Sequence, residues 1–282
     1  MSEILDDANA KQSAYWNGEA GRRWTAVQES QDRLLGGISS ALFEAAAPEP
    51  GEAVIDVGCG AGDTTLRAAA LTGRALGVDM SEPMLARARE RAAEAGSPAR
   101  FALADATLYD FSAEAADLMI SRFGVMFFAE PARSFANLRR GLKAGARLAF
   151  AAWRHPDRNP WLMVPYTAAL KRLPPQPPLP FDQPGPFAFH DDARVRDILE
   201  TAGFSDVAFT TCEVELDIAD GKGLEEAVDK ALTLGPTSRA LSDQPEAVRE
   251  EVSEEIRATL AGRLNAGKVA LGGTAWIVRA RA

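Results

Sequence analysis

The stretch VIDVGCGAGDTT, Val54 to Thr65, sets three glycines into five positions directly after a run that reads as a buried strand. Glycine loses more backbone freedom on folding than any other residue, so such a cluster needs a reason. An apolar run ending in a glycine turn suits a strand covered on both faces and followed by a helix. In an open parallel sheet, the turn after the first strand faces the place where ligands bind, beyond the carboxyl ends of the strands. Gly58, Gly60 and Gly62 would let main chain approach a ligand there, and the next helix offers free N–H groups for a carboxylate or phosphate. A tight turn holding no ligand would also use glycine, but three at alternate positions favour the ligand.

Outward from this turn, short apolar runs alternate with helical patterns, the mark of βα units and a parallel sheet. Strands are expected over 52–58, 74–80, 99–105, 116–122 and 146–153. One helix should start at Ser81 as N-cap, with Pro83 in its first turn, and stop near Gly96. Another should carry Phe135, Leu138 and Leu142 on one face and stop at Gly145. Beyond Trp153 comes one helix, NPWLMVPYTAALKRL, and then PPQPPLPFDQPGP, which regular structure excludes. The tail offers a strand at DVAFTTCEVELDI, two helices and a last strand at GTAWIVRAR. The acidic side of the second of these helices, Glu250, Glu251, Glu254 and Glu255, reads as solvated surface. The expected division is an N-terminal helical lid over 1–50, a cofactor-binding half over 51–154, a cap over 155–190 and a completion of the sheet over 191–282.

Composition narrows the class of function. With 282 residues, 46% hydrophobic and 25% charged, the chain can bury a large core without staples. Its two cysteines, Cys59 and Cys212, are too few for a disulfide framework or a zinc site, so no metal and a reducing cytoplasm are expected. The start MSEILDDANAK has neither the basic residues nor the apolar core of a secretory signal. The longest apolar run, ARLAFAAW, is too short to span a bilayer. A formal net charge of −9 argues against nucleic acid as partner, which needs a concentrated basic footprint.

The ligand is narrowed by what surrounds the glycines. Dinucleotide sites space them G-x-G-x-x-G, whereas here the third comes one residue early, with Asp63 in its place. Asp79 ends the second strand, where a carboxylate can accept hydrogen bonds from both hydroxyls of a ribose. That ribose could belong to NAD or to S-adenosylmethionine. Asp105, ending the third strand in LADAT, could meet an adenine amino group or simply cap its loop.

Taken in order and spacing, VIDVGCGAGDTT, GVDMSEPML, FALADA and ADLMISRFGVMFF resemble the class I S-adenosylmethionine-dependent methyltransferases. The likeness is greatest to the small-molecule branch that holds the ubiquinone/menaquinone-biosynthesis-type and sarcosine-type enzymes, and it covers roughly residues 51–153. It implies an α/β fold: a doubly wound, mostly parallel sheet of seven strands with an antiparallel last strand. It also implies a cofactor site. Gly58, Cys59, Gly60 and Gly62, with Thr64 at the helix start, would line the methionine part. Asp56 would order the glycine loop and engage the methionine ammonium. Asp79 would hold the ribose, Met80 would lie on the adenine, and Asp105 with Ala106 would read the adenine edge. Ser121 and Phe123 would sit beside the sulfonium, with Tyr15 and Trp24 closing over it from the N-terminal helix.

The resemblance further implies an activity, transfer of a methyl group by in-line displacement, with S-adenosyl-L-homocysteine as product. A sulfonium methyl is already activated, so alignment and exclusion of water do most of the work. A base is needed only if the acceptor keeps its proton at neutral pH. Of the two histidines, His155 follows the fifth strand at its ligand-facing end and is the preferred base, although an exposed loop histidine fits the same sequence. His190 suits a helix entry beside Asp191. Arg122 ends a central strand, where it could steer an anionic acceptor or pair with a local carboxylate. The cap over Pro156–Pro186 should roof the acceptor with Trp161, Met163, Tyr166 and Phe187. Two other classes share these residues: an NAD-dependent oxidoreductase, which the glycine spacing opposes, and a cofactor-binding regulatory protein without turnover. The acceptor, the atom methylated and a homodimer through the C-terminal helices stay open.

Overall fold

The run Val54–Val57 is buried at every residue and forms β1, an interior strand of the sheet. A computed structural model describes residues 2–282 of the chain. In it β2 (Ala75–Asp79) and β3 (Arg100–Leu103) extend the sheet to one side of β1. On the other side lie β4 (Ala116–Arg122) and β5 (Leu142–Trp153). The tail adds β6 (Ser205–Asp217), the two-residue β7 (Leu264–Asn265) and β8 (Lys268–Arg281). The order is β3-β2-β1-β4-β5-β8-β6, with β7 pairing β8. The first five strands are parallel, and β8 runs antiparallel to both β5 and β6. The fold is therefore the expected doubly wound α/β sheet.

Chain direction explains where a site can form. From β1 the chain winds outward through β2 and β3, then crosses back to β4 on the opposite side of β1. The connections after β1 and β4 thus part in opposite directions and leave a crevice between them, the switch point of such sheets. Gly58 and Gly124 follow these two strands. A Cβ built on Gly58 would lie 2.6 Å from the Gly124 Cα, so the two turns touch main chain to main chain.

One helix ends earlier than its apolar spacing suggests. It spans Pro131–Arg139, and Leu142 opens β5 instead of extending the helical face. Leu142 pairs Ala116 while Arg147 already pairs Leu118, so β5 carries an irregularity that takes up the extra residues. Gly145, at φ +74°, lies within it, and the strand resumes where tertiary pairing is available.

The N-terminal helices Ser2–Asn17 and Glu19–Ala26 dock on the turn after β2 through specific bonds. Asn17 donates Nδ2–H to the Met80 carbonyl at 2.8 Å and accepts from the Glu82 N–H at 3.0 Å. Ser81 Oγ donates to the Trp16 carbonyl at 2.7 Å. Two more helices, Gln28–Leu34 and Gly36–Ala46, lead to β1. On the far side, residues 174–186 form neither helix nor strand, as their prolines require. Among the described residues no helix is long and apolar enough to cross a membrane, and no group of three or more His, Cys, Asp and Glu could hold a metal ion.

Candidate active site

The glycine turn answers its own puzzle in two ways. All three glycines have positive φ, but only one leaves open space. A Cβ on Gly58 would strike Gly124, and one on Gly62 would come within 2.9 Å of Ala88 and 3.2 Å of Phe101. Those two glycines serve close packing, of turn on turn and of helix on sheet. A Cβ on Gly60 would meet only Met84 Sδ, at 3.6 Å. The bare main chain therefore borders open space at Gly60 above all, and Gly62 does not line the cavity described next.

A cavity of about 380 Å³ opens beyond the carboxyl ends of the strands, within the size range of small-molecule sites. Gly58, Cys59, Gly60, Thr64, Asp79, Met80, Asp105, Ala106, Phe123, Tyr15 and Trp24 all line it. The acidic pair sits where expected. Asp79 ends β2 and accepts the Gly60 N–H on Oδ2 at 2.8 Å and the Ser81 N–H on Oδ1 at 2.9 Å. It thereby ties the glycine turn to the next strand, and burial pushes its carboxyl pKa up. The Met80 N–H also bonds the carboxylate, which leaves part of its four-site acceptor capacity unused. Asp105 accepts the Thr107 N–H at 2.8 Å, so it caps its loop while lining the cavity.

Two expected residues stand behind the wall. Asp56 is fully buried and does not reach the cavity. Its Oδ2 accepts from the Thr64 and Thr65 hydroxyls at 2.7 and 2.6 Å, pinning the first helical turn to β1, while Oδ1 has no partner. Burial raises its pKa to about 6, against the opposing effect of the two hydroxyls. Asp56 orders the loop, and its burial behind the wall leaves it no direct contact with a group in the cavity. Ser121 is also fully buried, and its Oγ donates to the Val57 carbonyl at 2.7 Å, bracing the turn after β4 from beneath.

The expected base is displaced as well. His155 does not line the cavity; its side chain is 46% exposed, with Nδ1 3.2 Å from the Asp157 carboxylate and its ring beside Phe181 and His190. Strand β5 ends at Trp153, and the chain turns outward through Pro156, which carries the imidazole away. His190 is half-buried against the Phe187 carbonyl, just before the Asp191 N-cap.

Sequence reasoning missed one whole wall. Gln28, Gln31 and Asp32, from the Gln28–Leu34 helix, line the cavity with Asp63 and Arg122. Arg122 donates to Ser39 Oγ and Asp63 at 2.7 Å and to Asp32 at 3.3 Å. Arg91 meets Asp32 at 3.0 Å and the Ala61 carbonyl at 2.7 Å. Asp32 has its pKa raised, first by burial and then by Asp63. Gln31 is 3% exposed, yet its Nε2 has no hydrogen-bond partner, an orphaned donor on a cavity wall. The polar helix QESQDRL gave no periodic signal for this; only its burial shows it.

The remaining walls are aromatic. Phe123 stacks on Trp153 with centroids 4.3 Å apart at 11°, and Trp153 meets Trp161 at 5.0 Å. Phe123 has φ +67°, a conformation costing an aromatic residue about 1–3 kcal/mol, and such strain gathers at functional sites. Trp161 needs the bare backbone of Gly273, where a Cβ would lie 3.0 Å from its ring. From the N-terminal helices comes Trp16, neighbour of Tyr15 in sequence, edge-on to Phe127 at 5.2 Å and to Trp24 at 6.3 Å. Tyr166, Phe187 and the prolines near Pro178 complete the roof, while Met163 packs against the core outside the cavity.

Comparison with known proteins agrees with this architecture. A model described as a methyltransferase domain matches residues 54–145, so that segment carries the resemblance seen in its motifs. A demethylmenaquinone methyltransferase of Clavibacter sepedonicus is 32% identical over 116 residues, 41% of this chain and 47% of that protein. The chain spans less than half the length of the curated relatives it matches. Among solved structures, a candidate methyltransferase of Bacillus halodurans C-125 superposes with TM-score 0.57 at 19% identity, covering 86% of this chain and 97% of that one. The magnesium protoporphyrin IX methyltransferase of Synechocystis PCC 6803, solved with SAH, gives TM-score 0.55 at 20% identity over 73% and 93%. The chain shares the fold of these two methyltransferase structures.

Proposed function

We propose that the protein binds S-adenosylmethionine in this cavity and methylates a small-molecule acceptor held beneath the proline-rich roof. One observation carries the reading: Gly60, Asp79 and Asp105, at the ends of three adjacent strands, line one cavity with a wall of stacked aromatics. The residues suit such a cofactor. Main chain at Gly60 is open, the Asp79 carboxylate has acceptor capacity left beside its backbone bonds for a ribose hydroxyl, and the unpaired Gln31 amide can donate to a carboxylate. Arg122 with Asp32 and Asp63 offers both signs of charge to an amino-acid end. Trp16, Trp24 and Phe127 exclude water from a sulfonium, whose attraction to aromatic faces adds about 1 kcal/mol.

When bound, the sulfonium supplies an activated methyl group. The chain's own task is to hold acceptor and cofactor in line and to keep the space dry, which can supply a large part of the acceleration. No imidazole lines the cavity, so among the described residues none stands as a histidine base at the acceptor.

Titration calorimetry with S-adenosylmethionine, S-adenosylhomocysteine and NAD tests the reading. The first two should bind and NAD should not. Asp79→Asn keeps the residue's size and one acceptor for the Gly60 N–H but removes the charge that strengthens bonds to the ribose. Its affinity for S-adenosylmethionine should fall roughly tenfold or more. Unchanged affinity in this variant refutes the ribose assignment.

A further inference from the structure

Two cations line the cavity, and they differ in kind. Arg122 is balanced by Asp32 and Asp63 on the glycine-turn side. Arg239 stands on the helix Gly235–Leu241, on the acceptor side, next to the roof: a Cβ on Gly185 would lie 3.9 Å from its Nη1. It is exposed and forms no ion pair or side-chain hydrogen bond among the described residues. In a chain of net charge −9, with acidic groups to spare, an unbalanced guanidinium at the rim of a cavity is a feature to be explained.

The side chains that share the cavity with it on the roof and the end of β5 have the complementary character. Trp153, Trp161, Leu162, Tyr166 and Phe187 give flat apolar surface. Arginine can only donate, and so can an indole N–H. Burial raises the Tyr166 phenol pKa, keeping it neutral at physiological pH. The four carboxylates that line the cavity among the described residues come from other segments, Asp79 and Asp105 from the strand ends, Asp63 from the helix after the glycine turn and Asp32 from the Gln28–Leu34 helix, and none of them pairs with Arg239. Among the described residues the roof segments thus bring no carboxylate and one guanidinium to the cavity lining.

We propose that the acceptor is a planar, largely apolar molecule bearing an anionic group, which the guanidinium of Arg239 recognises at the cavity rim. This rests on the methyl-transfer reading only in calling the ligand an acceptor; the recognition itself is a property of the empty-handed protein and can be measured without turnover. An ion pair at an exposed position gains modestly, so its signature is selectivity between ligands of equal shape.

The test uses 2-naphthoate, 2-naphthamide and 2-naphthylmethylammonium as probes, titrated into the full chain with and without S-adenosylhomocysteine. The naphthoate should bind about fivefold more tightly than the amide, and the ammonium most weakly. Arg239→Ala should bring naphthoate and amide to the same affinity, Arg239→Lys should keep part of the preference, and Arg239→Glu should turn it toward the ammonium. The proposal is overturned if naphthoate fails to bind, if it binds no better than the amide, or if Arg239→Ala weakens both equally. The same titrations read S-adenosylhomocysteine binding separately, so failure of the cofactor assignment is distinguished from failure of the anion preference.

Discussion

Replacing Asp56 by asparagine removes the one fully buried carboxylate among the described residues whose second oxygen has no partner. Its pKa rises from 3.8 to about 6 in the folded chain, because burial disfavours the charge more than Thr64 and Thr65 favour it. The sign follows from proton binding. Below pH 3.8 the group is protonated in both states and costs nothing. Between there and about pH 6 the unfolded chain releases its proton while the folded one retains it, so stability falls as pH rises. Above that point the loss is complete at about 3 kcal/mol, from roughly two units at 1.36 kcal/mol each. About half of this loss should appear between pH 5 and pH 8. Asp32 and Asp79 also have raised values, so the wild-type curve alone mixes several groups. Subtracting wild type from Asp56→Asn cancels them, provided the sites act independently. Urea unfolding of both proteins across this range is the assay. The variant should gain on wild type between pH 5 and about pH 7 and then hold that gain to pH 8; a difference that stays flat throughout would show that Asp56 is already ionised at no cost, and the account of the loop's anchor would fall.

The glycine turn gives a paired prediction. Gly58→Ala drives a Cβ into Gly124 main chain and should cost about 2–5 kcal/mol, lowering the unfolding midpoint sharply. Gly60→Ala meets only Met84 and should cost about 1–2 kcal/mol for its positive φ, yet weaken S-adenosylmethionine binding by calorimetry. Equal losses of stability in the two would contradict the division between packing and ligand glycines. His155→Ala should leave methyl transfer to a working acceptor unchanged in rate and pH profile, since the ring lies outside the cavity; a large fall in kcat would return it to the mechanism.

By itself the sequence determined the sheet, the turn and the acidic strand ends. Strand periodicity, glycine positions and carboxylates after β2 and β3 are local signals, because a buried parallel strand must be apolar throughout and its ligand-facing turn must be small. Tertiary structure decided which of those residues meets the cavity. Gly58 and Gly62 are small because another segment presses on them, and Asp56 points inward to two threonines; nothing in VIDVGCGAGDTT separates them from Gly60. The same holds for Gln31, Asp32 and Arg239, set on short helices without a strong pattern, and for His155, turned away by the chain after β5. A cavity wall assembled from segments far apart in sequence leaves no period to detect: burial and charge balance there depend on neighbours that only folding brings into contact.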